Sequence, residues 1–225
     1  MILIHENLSR EAEYSANSLE RVYPLKVTIR EENLDGLLIP IPEFDGFLDS
    51  PKKLKEKFSW AKKKAVMILT GRDLYGWRKN KDEDWVFGNN EDGFNIISTA
   101  RLKKEDSSPS SQLEVPFEKY IRRLESIVIH EVGHDLIGPQ SKHFVDTYLI
   151  NARGKSQDLG EHCPNNRCVM YQSIDIKSPS PEIEYMMIGK EKRFDGGLDE
   201  ALEIMYNNWF CDLCRSAIKM DERYL

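Results

Sequence analysis

His130-Glu131-Val132-Gly133-His134 carries two histidines four residues apart, with a glutamate directly after the first. On an α-helix each residue advances about 100°. His134 therefore lies about 40° round from His130 and one turn along, so the two imidazoles converge. Glu131 stands on the flank of the pair, where its carboxylate can hold a water beside a metal that both histidines bind. Zinc takes neutral imidazoles in tetrahedral geometry, and a catalytic zinc keeps one position open. Two ligands do not suffice, and a third must come from elsewhere. Upstream, Ile121, Leu124, Val128 and Val132 recur at helical spacing. They predict a helix over 115–136 with that stripe toward the core, stopped by Gly138-Pro139.

Glu161-His162-Cys163 offers the third ligand at His162. His143 is the rival, being nearer to the helix. Cys163 begins a second pattern: Cys163 and Cys168 five apart, Met170 two further on, then Cys211-Asp212-Leu213-Cys214. Both cysteine spacings fit zinc-binding pairs, so Cys163, Cys168, Cys211 and Cys214 are expected to hold a structural zinc. Plain reduced thiols, or a redox pair at Cys211 and Cys214, are the other readings. His5 reads as an ordinary histidine, and the lysines at 52–57 and 62–64 as solvated helix faces.

HExxH, a histidine directly followed by cysteine, the pair Cys163/Cys168 with Met170, and a closing CxxC together resemble the archaemetzincins, a branch of the metzincin metallopeptidases. Asp84–Gly88 and Asn95–Leu102 also look like the strands that precede the active-site helix in that family. The resemblance implies a metzincin-like α/β fold: a mixed twisted sheet, an HExxH helix, and a small C-terminal helical subdomain with the four-cysteine zinc. It implies that Met170 is the methionine of a Met-turn, and that the edge strand around Trp85–Gly88 aligns an extended substrate. Two departures stand out. The glycine after the helix comes one residue late, at 138, and the third histidine is delayed by some twenty residues. Residues 139–161 and 171–197 therefore read as insertions that border the cleft as a lid or rim. Tyr171 directly follows Met170, which is not the spacing of the transition-state tyrosine in some metzincins.

At 225 residues the chain is expected to be a single domain, with 1–138 supplying the sheet and active-site helix and 139–225 the C-terminal subdomain. Charged residues make up 31% and hydrophobic ones 40%, with a mean hydropathy of -0.55. The net charge of -6 argues against bulk nucleic-acid binding. No apolar run approaches the ~18 residues that a membrane span needs. The start, MILIHENLSREAEY, lacks the charged n-region of a signal peptide. A cytoplasmic location with reduced thiols is expected, as is a monomer.

Along the chain, residues 7–22 predict a helix capped by Asn7 or Ser9, and 24–30 a strand. Residues 31–50 read as a loop with a short apolar piece at 37–39. A helix over 51–63 has Pro51 in its first turn. Ala65–Thr70 reads as a buried central strand, and 79–84 as a solvated turn. Strands at 85–87 and 94–100 are joined by a turn at 89–93. Residues 103–111 read as a polar loop. SPSP at 178–181 reads as a linker, and 198–220 as one amphipathic helix carrying both Cys211 and Cys214.

The function expected is hydrolysis of peptide bonds in a peptide or small-protein substrate, through a zinc-bound water with Glu131 as general base. Two Zn2+ per chain are expected, one catalytic (His130, His134, His162) and one structural. Because His162 and Cys163 are neighbours, the structural zinc would also pin the third histidine and Met170. Replacing Cys163 or Cys168 by serine should then weaken the catalytic site. The competing reading is a zinc-stabilised peptide-binding protein with little or no peptidase activity; an intact glutamate at 131 argues against it.

Overall fold

The computed structural model describes all residues except 38, 42–45, 49–50, 62, 76–86, 92, 106–112, 139–140, 152–155, 172–182, 194–197, 206–207, 221 and 225. The chain forms two compact units. One comprises Met1–Lys104, Ser108–Val132 and Met220–Leu225, and the other Glu105–Ser107 with Gly133–Lys219.

The first unit begins with strand β1 (Ile2–His5), helix α1 (Ser9–Val22) and strand β2 (Thr28–Glu31). Two short strands, β3 (Ile39–Ile41) and β4 (Gly46–Leu48), precede helix α2 (Pro51–Lys57) and a 3-10 turn at Ser59–Ala61. Then come β5 (Val66–Thr70), β6 (Leu74–Tyr75), β7 (Gly88–Glu91), β8 (Phe94–Ser98) and the long helix α3 (Phe117–Leu136). The main sheet has the order β2-β1-β5-β8-β7. β1, β2, β5 and β8 run parallel, and β7 is antiparallel at one edge. A smaller sheet joins β3, β4 and β6.

This order follows from the sequence pattern. Parallel neighbours need crossover connections, which are right-handed. The β1-α1-β2 and β2-α2-β5 crossings run in opposite directions along the sheet, so their helices cover opposite faces. Ile2, Ile4, Val66, Ile68 and Ile96 accordingly pack with Leu54 and Phe58 on the α2 side. The alternate residues Leu3, Met67, Leu69 and Ile97 are just as buried on the other. α1 is tied to α3 by the Tyr23 hydroxyl, which donates to the Ile129 carbonyl at 2.8 Å, and by Ser18 on Glu125 at 2.5 Å.

Several expectations change. β1 was not foreseen, because a four-residue apolar run is too short to separate from a ragged start; it is fully buried and central. β2 starts four residues later than expected, and all four of its residues are exposed, as befits an edge. Neither Asn7 nor Ser9 caps α1. Its N-cap is Leu8, whose N–H donates to His5 Nδ1 at 3.3 Å, so His5 is a buried structural acceptor. The second helix stops at Lys57. Of the predicted strand at 85–87, residues 85 and 86 lie outside the described residues. The strand itself is Gly88–Glu91, through most of the stretch read as a turn. The helix over 115–136 begins at Phe117, with Ile121, Leu124, Val128 and Val132 all buried.

Arg101 and Asp73 fix the connections beyond β5 and β8. Arg101 Nε donates to Asp73 Oδ1 at 2.9 Å and Nη2 to Oδ2 at 2.7 Å, with side chains only 7% and 10% exposed. Removing one partner of a buried pair strands the other charge. Asp73→Ala is therefore expected to lower unfolding free energy by about 3 kcal/mol, as read by urea denaturation.

The second unit holds an antiparallel sheet of order β10-β9-β11-β12, from β9 (Val145–Asn151), β10 (Ser156–His162), β11 (Ile183–Ile188) and β12 (Glu191–Arg193). Two short helices follow, α4 (Leu198–Ile204) and α5 (Asp212–Ala217). The expected helical subdomain is thus largely a sheet. Both segments read as insertions supply its strands, and the SPSP stretch lies outside the described residues. The single helix over 198–220 is broken in two. Cys211 is the N-cap of α5, its sulfur accepting from the Cys214 N–H, and Leu213 is 60% exposed. Tyr171 is buried with Ile188, beside Val145 and Leu159, which accounts for it as core.

Candidate metal centres

α3 continues from the first unit into the second, so helix geometry alone sets His130 against His134. β10 delivers His162 within the second unit. The His134 and His162 rings meet edge to face, 5.0 Å apart at 86°. One donor atom from each of His130, His134 and His162 lies within 4.8 Å of the others. His162 is 2% exposed. Its Nδ1 faces the Gly160 carbonyl at 3.4 Å, the contact that leaves Nε2 for a metal. Gly160 has φ of 86° and sits where the β9/β10 register shifts. Such a bulge re-aims the residues after it, and here it aims His162. His143 is not part of this group.

Glu131 is buried at 8% exposure. The edge strand β7 runs beside it. A Cβ added at Gly88 would lie 2.7 Å from Glu131 Oε1, so only glycine leaves the carboxylate its place. Asn90 Nδ2 donates to the Glu131 carbonyl at 3.3 Å and to Asn95 Oδ1 at 2.7 Å, fastening the same strand to α3. Sequence reasoning missed Gly88 and Asn90 as supports of the glutamate. Nothing in a Gly-Asn-Asn stretch marks them beyond turn chemistry.

The second cluster gathers the cysteines, all four of them free. Cys163 and Cys211 sulfurs are 3.8 Å apart. The edge of a zinc–thiolate tetrahedron with Zn–S of ~2.3 Å is about 3.8 Å. His143 Nε2 lies 3.2 Å from Cys214 Sγ. Donor atoms of His143, Cys163, Cys211 and Cys214 all fall within 4.8 Å of one another. Cys168 is outside that set but adjoins it. Hydrogen bonds from Cys163 and then Cys214 hold its thiol well below the ordinary range, and the backbone of Cys211 and Met170 adds to this. The complementary contacts push Cys163 up through Cys168, and Cys214 up through Cys163. Buried thiols gathered this closely form a donor set that a soft divalent ion satisfies. Cys163, Cys168 and Cys214 are each at most 1% exposed.

The two clusters are joined through the backbone. Cys163 follows His162 directly, and its N–H donates to the Met170 carbonyl at 2.9 Å. Tyr171 N–H closes a turn on Cys168 at 2.9 Å, and Val169 N–H reaches Trp209, two residues before Cys211, at 2.6 Å. Met170 is fully buried in this knot.

The structure is similar to the crystal structure of an archaemetzincin from Methanopyrus kandleri, with TM-score 0.52 and 19% identity over 96% of this chain and 92% of that one. The chain has the fold of an archaemetzincin. A zinc-dependent peptidase from Methanocorpusculum labreanum is similar too, with TM-score 0.57 and 19% identity over 97% of this chain and 100% of that one. No family model matches the sequence, and no curated protein matches it. The archaemetzincin fold therefore persists here at low identity, with the parallel sheet and the possible metal-binding groups in place. No described helix is long and apolar enough to cross a membrane.

Proposed function

We propose that the chain is a zinc-dependent peptidase of the metzincin type. The observation that carries the reading is the convergence of His130, His134 and His162, with Glu131 next to the first on the same helix. The donors fit the ion: three imidazoles with a position left over is a catalytic zinc set. The similar proteins, an archaemetzincin and a zinc-dependent peptidase, support the same class. A zinc ion held there supplies Lewis acidity and lowers the pKa of a water toward ~7.

The chain's own residues do the rest. Glu131 takes the proton of the attacking water and hands it to the leaving amine. β7, the antiparallel edge, receives an extended peptide by strand addition, which sets the scissile carbonyl in register beside the glutamate. The cysteine cluster takes a second, structural zinc; Cys163, Cys168, Cys211 and Cys214 are the expected ligands. Met170 serves as the Met-turn methionine, held by the Cys163 N–H bond.

The test is a peptide-library assay of purified protein. Cleavage that stops on chelation and returns with zinc is expected; retained zinc without any cleavage would favour peptide capture instead. The coupling of the two centres is tested separately. Outer supports of metal ligands are worth about 10–100-fold in affinity. Cys163→Ser is accordingly expected to weaken zinc at the three histidines by about 10-fold, measured by chelator competition. Unchanged retention there would refute the coupling.

A further inference from the structure

β8 reads Phe94-Asn95-Ile96-Ile97-Ser98, and Asn95 interrupts its apolar run. Asn95 stands in register with Met67 of β5 on one side and Asn90 of β7 on the other. Met67 and Ile97, its neighbours on that face of the sheet, are fully buried, and so is Asn95. Asparagine is depleted in strands, and a buried amide is destabilising unless each of its groups is bonded. One group here is not. Among the described residues, Asn95 Nδ2 has no hydrogen-bond partner. We infer that Asn95 is a positioning residue for Glu131: its carboxamide oxygen orients Asn90 and so sets β7 against α3. This rests on the roles proposed above for Glu131 and for β7 as the peptide edge.

Hydrogen-bond chemistry admits one arrangement. A backbone carbonyl only accepts, so at Glu131 the donor is Asn90 Nδ2, 3.3 Å away. The Asn95 atom 2.7 Å from that same nitrogen must also accept, and it is therefore Oδ1. Asn95 Nδ2 is then left facing away from the bonded chain. Turning the Asn95 amide over would set two NH2 groups against each other. Turning the Asn90 amide would set its oxygen against the Glu131 carbonyl. The orphaned N–H is thus a consequence of offering an acceptor to Asn90.

The two bonds are unequal. The one between Asn90 and Asn95 is the shorter, and Asn95 is the end anchored inside the sheet. An edge strand is paired on one side only, so β7 gains most from such a brace. Its position matters because Gly88 lies two residues from Asn90 on the same strand. A Cβ there would come within 2.7 Å of Glu131 Oε1, so a small movement of β7 is felt by the carboxylate. An apolar side chain at 95 would suit the sheet better and the site worse, the local conflict expected where function sets the residue.

The test compares Asn95→Leu with Asn95→Asp. Leucine removes both the orphaned donor and the acceptor, and the half-buried Asn90 can turn its amide to solvent. Aspartate adds a buried acid, which burial keeps neutral, but its carbonyl oxygen still accepts from Asn90. Asn95→Leu is expected to melt at or above the wild-type temperature. Its kcat/KM should nonetheless fall by about 10-fold, less than the ~10²-fold of a full ångström's misplacement. Asn95→Asp should be the less stable of the two and the more active, with zinc content unchanged in both. Activity that follows melting temperature across the two variants would overturn the assignment. Amide hydrogen exchange gives a reading that does not depend on peptide cleavage. Exchange across Gly88–Glu91 should quicken in Asn95→Leu, with α1 unchanged. Unaltered exchange there would overturn the brace. Quickened exchange in a protein whose wild type cleaves no peptide would support the brace and overturn the peptidase reading.

Discussion

Glu131→Gln is expected to keep its zinc and to lose peptide cleavage by about 10²–10⁴-fold. The substitution preserves size and hydrogen-bonding reach but cannot take a proton. The histidines are untouched, so metal content should equal the wild type's. That combination separates a proton-transfer role from a structural one. Glu131 is buried beside β7 and its carbonyl is bonded by Asn90, so glutamine can occupy the same position. Turnover within a few-fold of wild type would remove Glu131 from the mechanism. Loss of zinc together with activity would mean that the carboxylate serves the metal site rather than the reaction. kcat should carry the loss, with KM little changed, because the proposed peptide-binding element is the edge strand.

Gly88→Val is expected to cost nearly as much by a different route. A Cβ there would meet Glu131 Oε1 at 2.7 Å and the carboxyl carbon at 3.0 Å. The branched side chain forces the glutamate off its position or pushes β7 away from α3. Either movement misplaces the base by about an ångström, which costs on the order of 10²-fold. The three histidines lie on α3 and β10, so zinc content should stay at the wild-type level. Gly88→Ala should fall between the two. Valine at 88 with normal kcat would show that β7 yields freely and that Gly88 does not support the glutamate. Because β7 is also the proposed peptide edge, KM should rise with the fall in kcat, unlike in Glu131→Gln.

The helix and the pairing of its two histidines were legible because helical spacing alone brings His130 and His134 together, and the apolar stripe from Ile121 to Val132 fixes which face is buried. The buried strand Val66–Thr70 was legible for the same kind of reason, a continuous apolar run. Less visible were elements whose residues look like turns. Gly88-Asn89-Asn90-Glu91 carries turn chemistry, yet it pairs with Phe94–Ile97 as an edge strand, because one side of an edge need not be apolar. Ser156–His162 is polar, with a glycine inside it, and pairs with Val145–Ile150 through a bulge. The stretch 139–161 therefore read as an insertion before His162, when it supplies β9 and most of β10, with His162 as the last residue of that strand. The break near Cys211 was hidden as well. Amphipathic spacing runs through it, but the Cys211 sulfur accepts the Cys214 N–H and starts a new helix there. The place of His143 among the cysteines depends on chain folding across some seventy residues, which no local pattern encodes.

The most direct test of the central claim is the zinc content of purified, untagged, folded protein by native mass spectrometry. Two zincs per chain are expected, with loss of one under mild chelation abolishing cleavage while the other stays with the cysteines. A folded chain that holds no zinc, or that cleaves peptides equally well after its zinc is removed, would contradict the account.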